Sequence, residues 1–284
     1  MNKSILTLCL SALLSTTLFA QKEQLNVMTF NIRYDNPSDA PHNWGNRKEF
    51  AANAIKFYDA DIVGTQEVLH HQLQDLQAAL PQYATIGVAR EDGKTKGEYS
   101  AILYKKDQFK ILDSGTFWLA EDVNAVGKKG WDAACERVVT WALMQDKTTK
   151  EKFLFMNTHF DHEGQVARHN SANLLLDKAK QLSKGNPIVV TGDFNATVDE
   201  EPIRIITDMT NSKHLTDARS KASVVYGPNW TFHDFGRLDQ AKRNIIDYIF
   251  VSGNIKVISH GIISETLNGL YLSDHNPIVS KIEF

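Results

Sequence analysis

Two short motifs place carboxylate, amide and imidazole groups where an apolar run of the chain ends or begins. Thr191–Asn195 (TGDFN) follows the apolar run Ile188–Val190, and Asp274–Pro277 (DHNP) precedes the last apolar run. Carboxylate and amide oxygens are ligands for hard divalent cations, and imidazole exchanges protons near neutral pH. Such groups, set at the ends of strands, have the composition that metal-assisted chemistry on phosphate esters requires.

Further polar residues recur at the ends of strand-like runs. A single one is more often a turn or helix cap than part of a site. The series as a whole favours a site, and its members are Asn31, Glu67, His159, Asp193, Asn195, Asp274 and His275. Asp247 lies inside the apolar run Ile245–Val251, where an unpaired carboxylate is costly to bury. Asp247 therefore needs a partner, and a histidine is well suited.

Hydrophobic periodicity predicts the elements that must position these groups. Strands are predicted at Leu25–Ile32, Ile62–Glu67, Tyr83–Gly87, Ala101–Tyr104, Lys110–Leu119, Val138–Gln145, Lys152–Thr158, Ile188–Thr191, Ile245–Val251, Ile255–Ile263 and Pro277–Ile282. Helices are predicted at Trp44–Tyr58, His70–Leu80 and Gly164–Leu182. Strands outnumber helices and the two interleave, which favours a β-rich α/β sandwich over a purely parallel, doubly wound sheet.

The first twenty residues have the pattern of a secretory signal peptide. Asn2 and Lys3 lead into the short apolar run Ile5–Leu14, and small and polar residues follow as far as Ala20. We therefore expect export to the periplasm or the extracellular space, with a mature catalytic domain over residues 21–284. The apolar run is shorter than the roughly 20 residues that span a membrane, so no stable membrane anchor is expected.

Charge and cysteine content narrow the functional classes. The formal charge of the chain is −3, and no basic stripe of the kind that binds nucleic acid is present. This argues only weakly against a nucleic-acid substrate, because an enzyme that cuts one phosphodiester can recruit a cation locally. Cys135 is the one cysteine after the leader, so no intramolecular disulfide is expected. No cysteine cluster suggests zinc.

The sequence resembles the endonuclease/exonuclease/phosphatase superfamily, the group of pancreatic deoxyribonuclease, apurinic endonucleases, inositol polyphosphate 5-phosphatases, neutral sphingomyelinases and poly(A) deadenylases. The segments that carry the resemblance are TFNIR (Thr29–Arg33), GTQEV (Gly64–Val68), NTHFD (Asn157–Asp161), GDFN (Gly192–Asn195), IDYIF (Ile246–Phe250) and SDHNP (Ser273–Pro277). They occur in the family's order and span nearly all of the mature chain. Together they are specific, although GDFN alone would be weak.

The resemblance implies a four-layer α/β/β/α sandwich, with two mixed β-sheets flanked by helices and the site at one end. It also implies that Glu67 is the principal ligand of Mg²⁺ or Mn²⁺, with Asn31 beside it. Asp274 would support a second metal position or a loop that carries a ligand. Magnesium prefers few, hard oxygen ligands and keeps several waters, which agrees with this set.

By the same resemblance, the reaction is in-line attack of water on phosphorus. Asp193 would orient or deprotonate the water, and Asn195 would hold the water or a phosphate oxygen. His275 would pair with Asp247, which raises the pKa of the imidazole and fixes its tautomer. His159 would hydrogen-bond the pentavalent phosphorane from another side.

Four further residues are candidates for substrate or phosphate contact, and three of them have an ordinary alternative. Glu98 is expected either to buttress His159 or to be an exposed loop glutamate. Arg137 and Arg33 suit phosphate oxygens, yet a solvated salt bridge is as good an interpretation for each. His162 is expected to line the site because it follows His159 closely.

Three hypotheses for function remain open. A phosphodiesterase acting on nucleic acid or a nucleotide-like diester is slightly favoured. A phosphatase or phosphodiesterase for phosphorylated sugars, inositol or lipid headgroups is the second. A non-catalytic binding module is the third, and the complete polar set argues against it. Trp44 and Trp131 are candidates to stack a base or sugar, although core packing is the safer expectation. We expect a monomer without an obligate protein partner.

Overall fold

Two mixed β-sheets form the centre of the protein. The computed structural model describes residues 24–284, so the predicted leader, residues 1–20, lies outside the described residues. The sheets pack face to face and helices cover their outer sides, which confirms the predicted four-layer sandwich. No helix within residues 24–284 is long and apolar enough to cross a membrane.

The principal strands are β1 (Gln24–Asn31), β2 (Ile62–Val68), β3 (Tyr83–Ile86), β4 (Tyr99–Lys105), β5 (Phe109–Trp118), β6 (Val138–Asp146), β7 (Lys152–His159), β8 (Ile188–Asp193), β11 (Asp247–Val251), β12 (Lys256–Ile262) and β15 (Ile278–Glu283). The short strands are β9 (Thr216–Asp217), β10 (Val224–Tyr226), β13 (Thr266–Leu267) and β14 (Leu270–Tyr271). The helices are α1 (Trp44–Phe57), α2 (His70–Ala79), α3 (Gln165–Ser183), α4 (Glu201–Thr207) and α5 (Ala218–Lys221). Single 3₁₀ turns lie at Pro37–Asp39 and Gln240–Lys242.

Each of the two large sheets contains both parallel and antiparallel neighbours. The larger sheet has the order β10-β12-β15-β1-β2-β4-β3, and the other sheet has the order β5-β6-β7-β8-β11-β9. The pairs β1/β2, β7/β8 and β10/β12 are parallel, and the other pairs within these two sheets are antiparallel. A sheet that is covered on both faces needs apolar side chains on both, which explains the near-continuous apolar runs of its central strands.

Three apolar clusters fill the three interfaces between the four layers. In β1, Phe30 faces helices α1 and α2, whereas Val27 faces the other sheet. In β7, Phe155 faces the first sheet, whereas Leu154 packs with Leu175 of α3. These neighbours lie in different clusters because the side chains of a strand alternate between its two faces.

A polar network joins the two sheets beneath one end of the sandwich. Asn157 Oδ1 of β7 accepts hydrogen bonds from Gln66 Nε2 at 2.6 Å and Thr191 Oγ1 at 3.0 Å, and its Nδ2 donates to the Thr65 carbonyl at 2.8 Å. Gly64 faces the same network, where a Cβ would collide with Thr191 Oγ1. The sheets can approach this closely only because position 64 has no side chain.

The predicted strands and long helices are all present, with two kinds of difference. The short elements α4, α5, β9, β10, β13 and β14 have two to seven residues, too few for a periodic pattern to show. The strand predicted at Ile245–Val251 begins at Asp247 instead, because the backbone N–H groups of Ile246 and Asp247 donate to Thr231 Oγ1. Asp247 therefore lies at a strand end and not inside the strand.

Away from that end, His260 of β12 is a buried histidine held between two strands. Its side chain is 2% exposed, and Nδ1 lies 2.9 Å from Ser280 Oγ of β15. Burial, with a smaller contribution from the charge of Arg219, lowers the pKa of His260 to about 4. His260 is therefore neutral in the folded protein wherever the pH is well above that value.

We expect His260 to make the folded state less stable as the pH falls from 6.5 to 4. In this range the unfolded chain binds a proton, at an ordinary histidine pKa of about 6.5, that the folded protein excludes. The free energy of unfolding falls by roughly 3 kcal/mol across this range. Urea unfolding at several pH values should show the free-energy gap between wild type and His260→Gln narrowing as the pH falls. His169→Gln, at a half-exposed position, should show no such trend; parallel curves for wild type and His260→Gln would contradict this account.

Candidate active site

The strand register brings three predicted site residues side by side on one sheet. His159 of β7 is opposite Asp193 of β8, which is opposite Asp247 of β11. On the other sheet, Asn31 is the last residue of β1, and its register partner on neighbouring β2 is Gln66. Glu67 follows Gln66 directly. Asn31 Nδ2 donates to Asp193 Oδ2 at 3.0 Å and to Glu67 Oε1 at 2.9 Å. The two sheets thus contribute to one site at the same end of the sandwich.

Asp247 and His275 form the carboxylate–histidine pair that the sequence predicts. His275 Nδ1 lies 2.8 Å from Asp247 Oδ2, while Nε2 on the other side of the ring lies 3.7 Å from Asp193 Oδ2. Burial lowers the pKa of His275, but the carboxylates of Asp247 and Asp193 outweigh it and hold the pKa well above its ordinary value. The ring is therefore an imidazolium that bridges two buried carboxylates.

The carboxylates of this site are crowded and short of water. Burial, followed by repulsion from Asp247, raises the pKa of Asp193 to about 7. Burial also raises the pKa of Asp274 to about 6, with repulsion from Glu67 adding to it and attraction to His275 opposing it. Each shift reports that the negative charge is poorly compensated by the side chains around it.

Arg33 is a cation of this cluster and not a solvated surface residue. Its Nε lies 2.9 Å from Asp39 Oδ2 and 3.6 Å from Asp274 Oδ2, and Nη1 lies 3.8 Å from Glu67 Oε2. Arg33 and Glu67 both have left-handed backbone, with φ of 58° and 61°. Non-glycine residues adopt this conformation at an energetic cost, and such residues concentrate at functional sites.

Arg47 of α1 joins the two loops that carry much of the site. It is completely buried, and Nη1 donates to the carbonyl groups of Ile32, after β1, and Leu272, just before the DHNP motif, each at 2.8 Å. Its guanidinium also lies against the rings of Trp44 and Phe235. Burial lowers the pKa of Arg47 to about 10, so the group remains charged at neutral pH.

His159 lies on the far side of Asp193 and is held by an amide. Asn195 Nδ2 lies 3.0 Å from His159 Nε2. Burial, and then the charges of Arg137 and Arg90, lower the pKa of His159 well below its ordinary value, so the ring is neutral. Neither expectation for Glu98 holds: its side chain is 17% exposed, and both of its oxygens accept from Arg90, at 2.7 and 2.9 Å. His159 Nδ1 has no hydrogen-bond partner within residues 24–284.

Arg137 is buried and paired, so the alternative of a solvated salt bridge does not hold for it either. Its side chain is 4% exposed, Nε lies 3.3 Å from Asp161 Oδ2, and Nη2 lies 2.9 Å from His162 Nδ1. Asp161 also accepts backbone N–H bonds from Ala134 and Cys135, at 3.1 Å each. Arg137 and His162 are thereby fixed at the edge of the site.

These residues surround an open cavity of about 490 Å³. Every residue predicted for the site lines it except Asn31 and Asp247, which lie behind the wall. The other lining residues are Tyr34, Arg90, Cys135, Phe232, Asp234 and Ile246. Arg90 was not predicted as a site residue, because it lies in a loop with no motif around it. Phe232 and Asp234 belong to the TFHDF segment, Thr231–Phe235, which precedes β11.

Neither candidate tryptophan presents its ring to this cavity. Trp44 is 2% exposed, packs in the core beside Arg47, and donates from Nε1 to Asp75 Oδ2 at 2.8 Å. Trp131 lies in a loop where its backbone N–H contacts Glu121, and it is not among the lining residues. The aromatic side chains that do reach the cavity are Tyr34 and Phe232.

The chain matches the sequence profile of the Endonuclease/Exonuclease/phosphatase family over residues 28–275. The protein belongs to this family. Members of the family are hydrolases that act on phosphoester bonds, and the protein is therefore a phosphoesterase. Family members generally depend on a divalent metal ion.

Solved structures of similar proteins cover the family domain from end to end. An endonuclease/exonuclease/phosphatase from Bacteroides vulgatus is 48% identical, with 93% of this chain and all of that chain covered and a TM-score of 0.90. A mannosyl-6-phosphatase of Bacteroides thetaiotaomicron VPI-5482 is 38% identical, with 92% of this chain and all of that chain covered and a TM-score of 0.84.

Curated relatives are more distant and longer. The Ccr4 exoribonuclease subunit of the CCR4-Not complex of Mycosarcoma maydis is 24% identical over 196 residues, which are 57% of this chain and 28% of that protein. The chain spans between 28% and 60% of the length of the curated relatives that it matches. These relatives therefore contain further segments with no counterpart in the match.

The family's divalent cation fits the residues present. Glu67 and Asp274 offer hard oxygen donors, whereas Asn31 directs its amide nitrogen to Glu67 and Asp193 and its oxygen to the backbone N–H of Arg33. The raised pKa of Asp274 shows a carboxylate that lacks compensating charge. Ligand atoms of Glu67, His159 and Asp193 also lie within 4.8 Å of one another, so Asp193 is a further candidate beside the predicted set. A cation here would relieve the repulsion among these carboxylates.

We expect Mg²⁺ or Mn²⁺ to raise the thermal unfolding temperature, since an ion that binds only the folded state stabilises it. In Glu67→Gln most of this rise should disappear. In EDTA the same variant should unfold at or above the wild-type temperature, because one crowded carboxylate has been neutralised. Thermal unfolding with metal and with EDTA measures both effects.

The matched control is Glu265→Gln, which removes a carboxylate remote from the site and should keep the full response to metal. If Glu67→Gln responds to metal as wild type does, the principal ligand is elsewhere.

Proposed function

We propose that the protein is a divalent-metal-dependent phosphatase of small phosphorylated sugars. The observation that carries this proposal is the similarity to a mannosyl-6-phosphatase, 38% identical over 92% of this chain and all of that one. The sequence alone slightly favoured a phosphodiesterase. This full-length similarity supports the opposite order, with the phosphomonoester first.

The shape of the site supports a small substrate. Its cavity of about 490 Å³ is within the usual range for one small molecule, roughly 300–1,000 Å³. Arginines in its wall suit a phosphate group. The Asp234 carboxylate and the Phe232 ring at its rim suit the hydroxyl groups and the apolar face of a sugar ring.

The side chains of the site are arranged for water to attack phosphorus. Asp193 is held by Asn31 Nδ2 at 3.0 Å and by the backbone N–H of Asn195 at 2.9 Å, and we assign it to orient and deprotonate the attacking water. His275, kept protonated by Asp247, would donate from Nε2 to a non-bridging phosphate oxygen. His159 lies on the other side of Asp193, and its neutral ring would position the Asn195 amide beside the phosphoryl group.

Glu67 and Asp274 would hold the divalent cation, and Asn31 would position Glu67 through the bond from Nδ2. A bound cation would neutralise the negative charge that develops on the phosphoryl and leaving oxygens. The side chains around it do the positioning, because they are buried and joined by hydrogen bonds before any substrate arrives.

A nuclease or other phosphodiesterase is the second candidate function. The similarity to the Ccr4 exoribonuclease subunit favours it, at 24% identity over 57% of this chain. The carboxylates of Glu98 and Asp234 in the cavity wall and a formal charge of −3 do not favour a polyanionic strand. We also propose export of the protein, on the signal-peptide pattern of residues 1–20.

We expect phosphate release from mannose 6-phosphate and other hexose phosphates with Mg²⁺ or Mn²⁺, and none with EDTA. Asp193→Asn and His275→Gln should each lower kcat by about 100-fold or more, since each removes a group assigned to the reacting atoms. His260→Gln, at a buried histidine remote from the cavity, should keep its activity. Phosphate release by each variant is measured together with its unfolding temperature.

Bis(4-nitrophenyl) phosphate, single-stranded DNA and RNA are the competing substrates. Turnover restricted to these would support the second candidate in place of the first. Undiminished turnover by a folded Asp193→Asn variant would refute the assigned mechanism for either substrate class.

A further inference from the structure

The TFHDF segment is bound along the DHNP motif, which carries His275. The backbone N–H groups of His233 and Asp234 both donate to the Asp274 carbonyl, at 3.0 and 3.2 Å. Phe232 pairs with His275 itself in an isolated β-bridge. Side chains of the TFHDF segment therefore have a fixed position relative to the groups assigned to the reaction.

Side chains of this segment alternate between the cavity and the interior. Phe232 and Asp234 line the cavity, whereas His233 and Phe235 are only 1% and 4% exposed. Nδ1 of His233 accepts the backbone N–H of Gly236 at 3.0 Å. The inward pair anchors the segment, and the outward pair is presented to the ligand of the cavity.

Asp234 has a strained backbone conformation that its own side chain does not explain. Its φ is 49° and that of Phe235 is 51°, so two successive non-glycine residues are in the left-handed region. Within residues 24–284 the Asp234 carboxylate accepts no hydrogen bond, and Arg237 Nη1 lies 3.9 Å from Oδ1. Such strain persists only where the surrounding structure imposes it, and it concentrates at binding and catalytic sites.

The other carboxylates that line the cavity, among residues 24–284, are already engaged. Glu98 is paired with Arg90 through both oxygens. The remaining ones are assigned to the cation and the attacking water, and they are Glu67, Asp193 and Asp274. Asp234 is thus the carboxylate whose two oxygens are available to a substrate.

The chemistry of this carboxylate identifies what it can bind. An ionised carboxylate only accepts hydrogen bonds, and its two oxygens can receive two hydroxyl groups at once. It repels the oxygens of a phosphoryl group, so its ligand is the alcohol part of a phosphoester.

The distance from the reacting centre suits one sugar ring. The Phe232 ring lies 4.9 Å from the His275 ring, centre to centre. Asp234 follows two residues later, which is no more than about 7 Å along the chain. A single sugar whose phosphate lies at His275 therefore reaches both Phe232 and Asp234.

We propose that Asp234 determines the specificity for the sugar, by accepting hydrogen bonds from two neighbouring hydroxyl groups of a hexose phosphate. The Phe232 ring would lie against the apolar face of the same sugar. The proposal rests on the proposed function and adds the residue that selects the alcohol. A phosphoester without hydroxyl groups gains nothing from this carboxylate.

The test compares two monoesters that differ in their hydroxyl groups, mannose 6-phosphate and 4-nitrophenyl phosphate. In Asp234→Ala, kcat/KM should fall by about 30-fold or more for mannose 6-phosphate and change by no more than about 3-fold for 4-nitrophenyl phosphate. Two charge-assisted hydrogen bonds are lost with the first substrate and none with the second. The inhibition constant of inorganic phosphate should stay within about 3-fold of that of wild type, because phosphate itself is not the ligand of Asp234.

Asp234→Asn tests the need for two acceptor oxygens. The amide keeps the shape of the side chain and one acceptor, but it replaces the other acceptor by a donor. This variant should recover only part of the lost kcat/KM for mannose 6-phosphate. Wild-type turnover of mannose 6-phosphate by Asp234→Asn would overturn the paired acceptor.

Asp234→Gly separates recognition from folding. Glycine adopts left-handed backbone without a steric cost, so this variant should unfold at the wild-type temperature or above. It should nevertheless lose mannose 6-phosphate as Asp234→Ala does. A marked fall in the unfolding temperature of Asp234→Gly would show a structural role for the carboxylate and would contradict the proposal.

Asp239 provides the matched control. It lies further along the same loop, and its Oδ2 is 3.8 Å from Lys242 Nζ, an i,i+3 pair like that of Asp234. It does not line the cavity, however. Asp239→Ala should therefore change neither substrate by more than about 3-fold, which separates recognition from the loss of a loop charge.

Equal losses on both substrates in Asp234→Ala, or a loss on neither, would overturn the proposal. If wild type and Asp234→Ala hydrolyse mannose 6-phosphate equally well, only the role of Asp234 is wrong and the proposed function stands. If wild type hydrolyses 4-nitrophenyl phosphate but no hexose phosphate, the proposed function fails and the role of Asp234 fails with it.

Discussion

Repulsion among buried carboxylates is the constraint around which this protein is built. Glu67, Asp193, Asp247 and Asp274 meet at one end of the sandwich, where little water screens their charges. Protein cations compensate part of this charge: His275 bridges Asp247 and Asp193. Such a cluster persists only if rigid elements hold it together, and here each member lies on or beside a strand of a sheet buried on both faces. The remaining uncompensated charge is what makes the site suitable for a divalent cation.

Arg47 shows how the scaffold contributes to this balance without touching the cavity. It is a buried cation with carbonyl partners, those of Ile32 and Leu272, and its charge acts on Asp274 from behind the wall. A neutral residue there would leave two carbonyl groups without donors and remove a favourable charge from the cluster. The packing of Trp44 against this guanidinium also explains why that tryptophan lies in the core and not at the substrate.

The sequence predicted the fold and most of the cavity wall, because both follow from local patterns. Apolar runs reveal strands buried on two faces, and polar residues at their ends reveal which edge is functional. Motif membership does not reveal a role, however: Gln66 and Asn157 lie within the same motifs as Glu67 and His159, yet they join the two sheets. The place of Arg90 in the cavity wall and its pairing with Glu98 could not be predicted, since both depend on how the loop between β3 and β4 folds on itself, and no local pattern encodes that contact.

The polar network beneath the site explains why residues that join the two sheets and residues that form the site lie in the same motifs. One sheet supplies Asn31 and Glu67, and the other supplies His159, Asp193 and Asp247, so the site exists only at one relative position of the sheets. A strand that slipped by one residue would turn every one of its side chains to the opposite face. Apolar contacts are tolerant of small shifts, whereas the buried bonds of Asn157 to Gln66 and Thr191 have one geometry in which all are satisfied. Gln66 precedes Glu67 by one position, and Asn157 and Thr191 precede His159 and Asp193 by two. These polar residues therefore fix the distance between the groups that the two sheets contribute to the site.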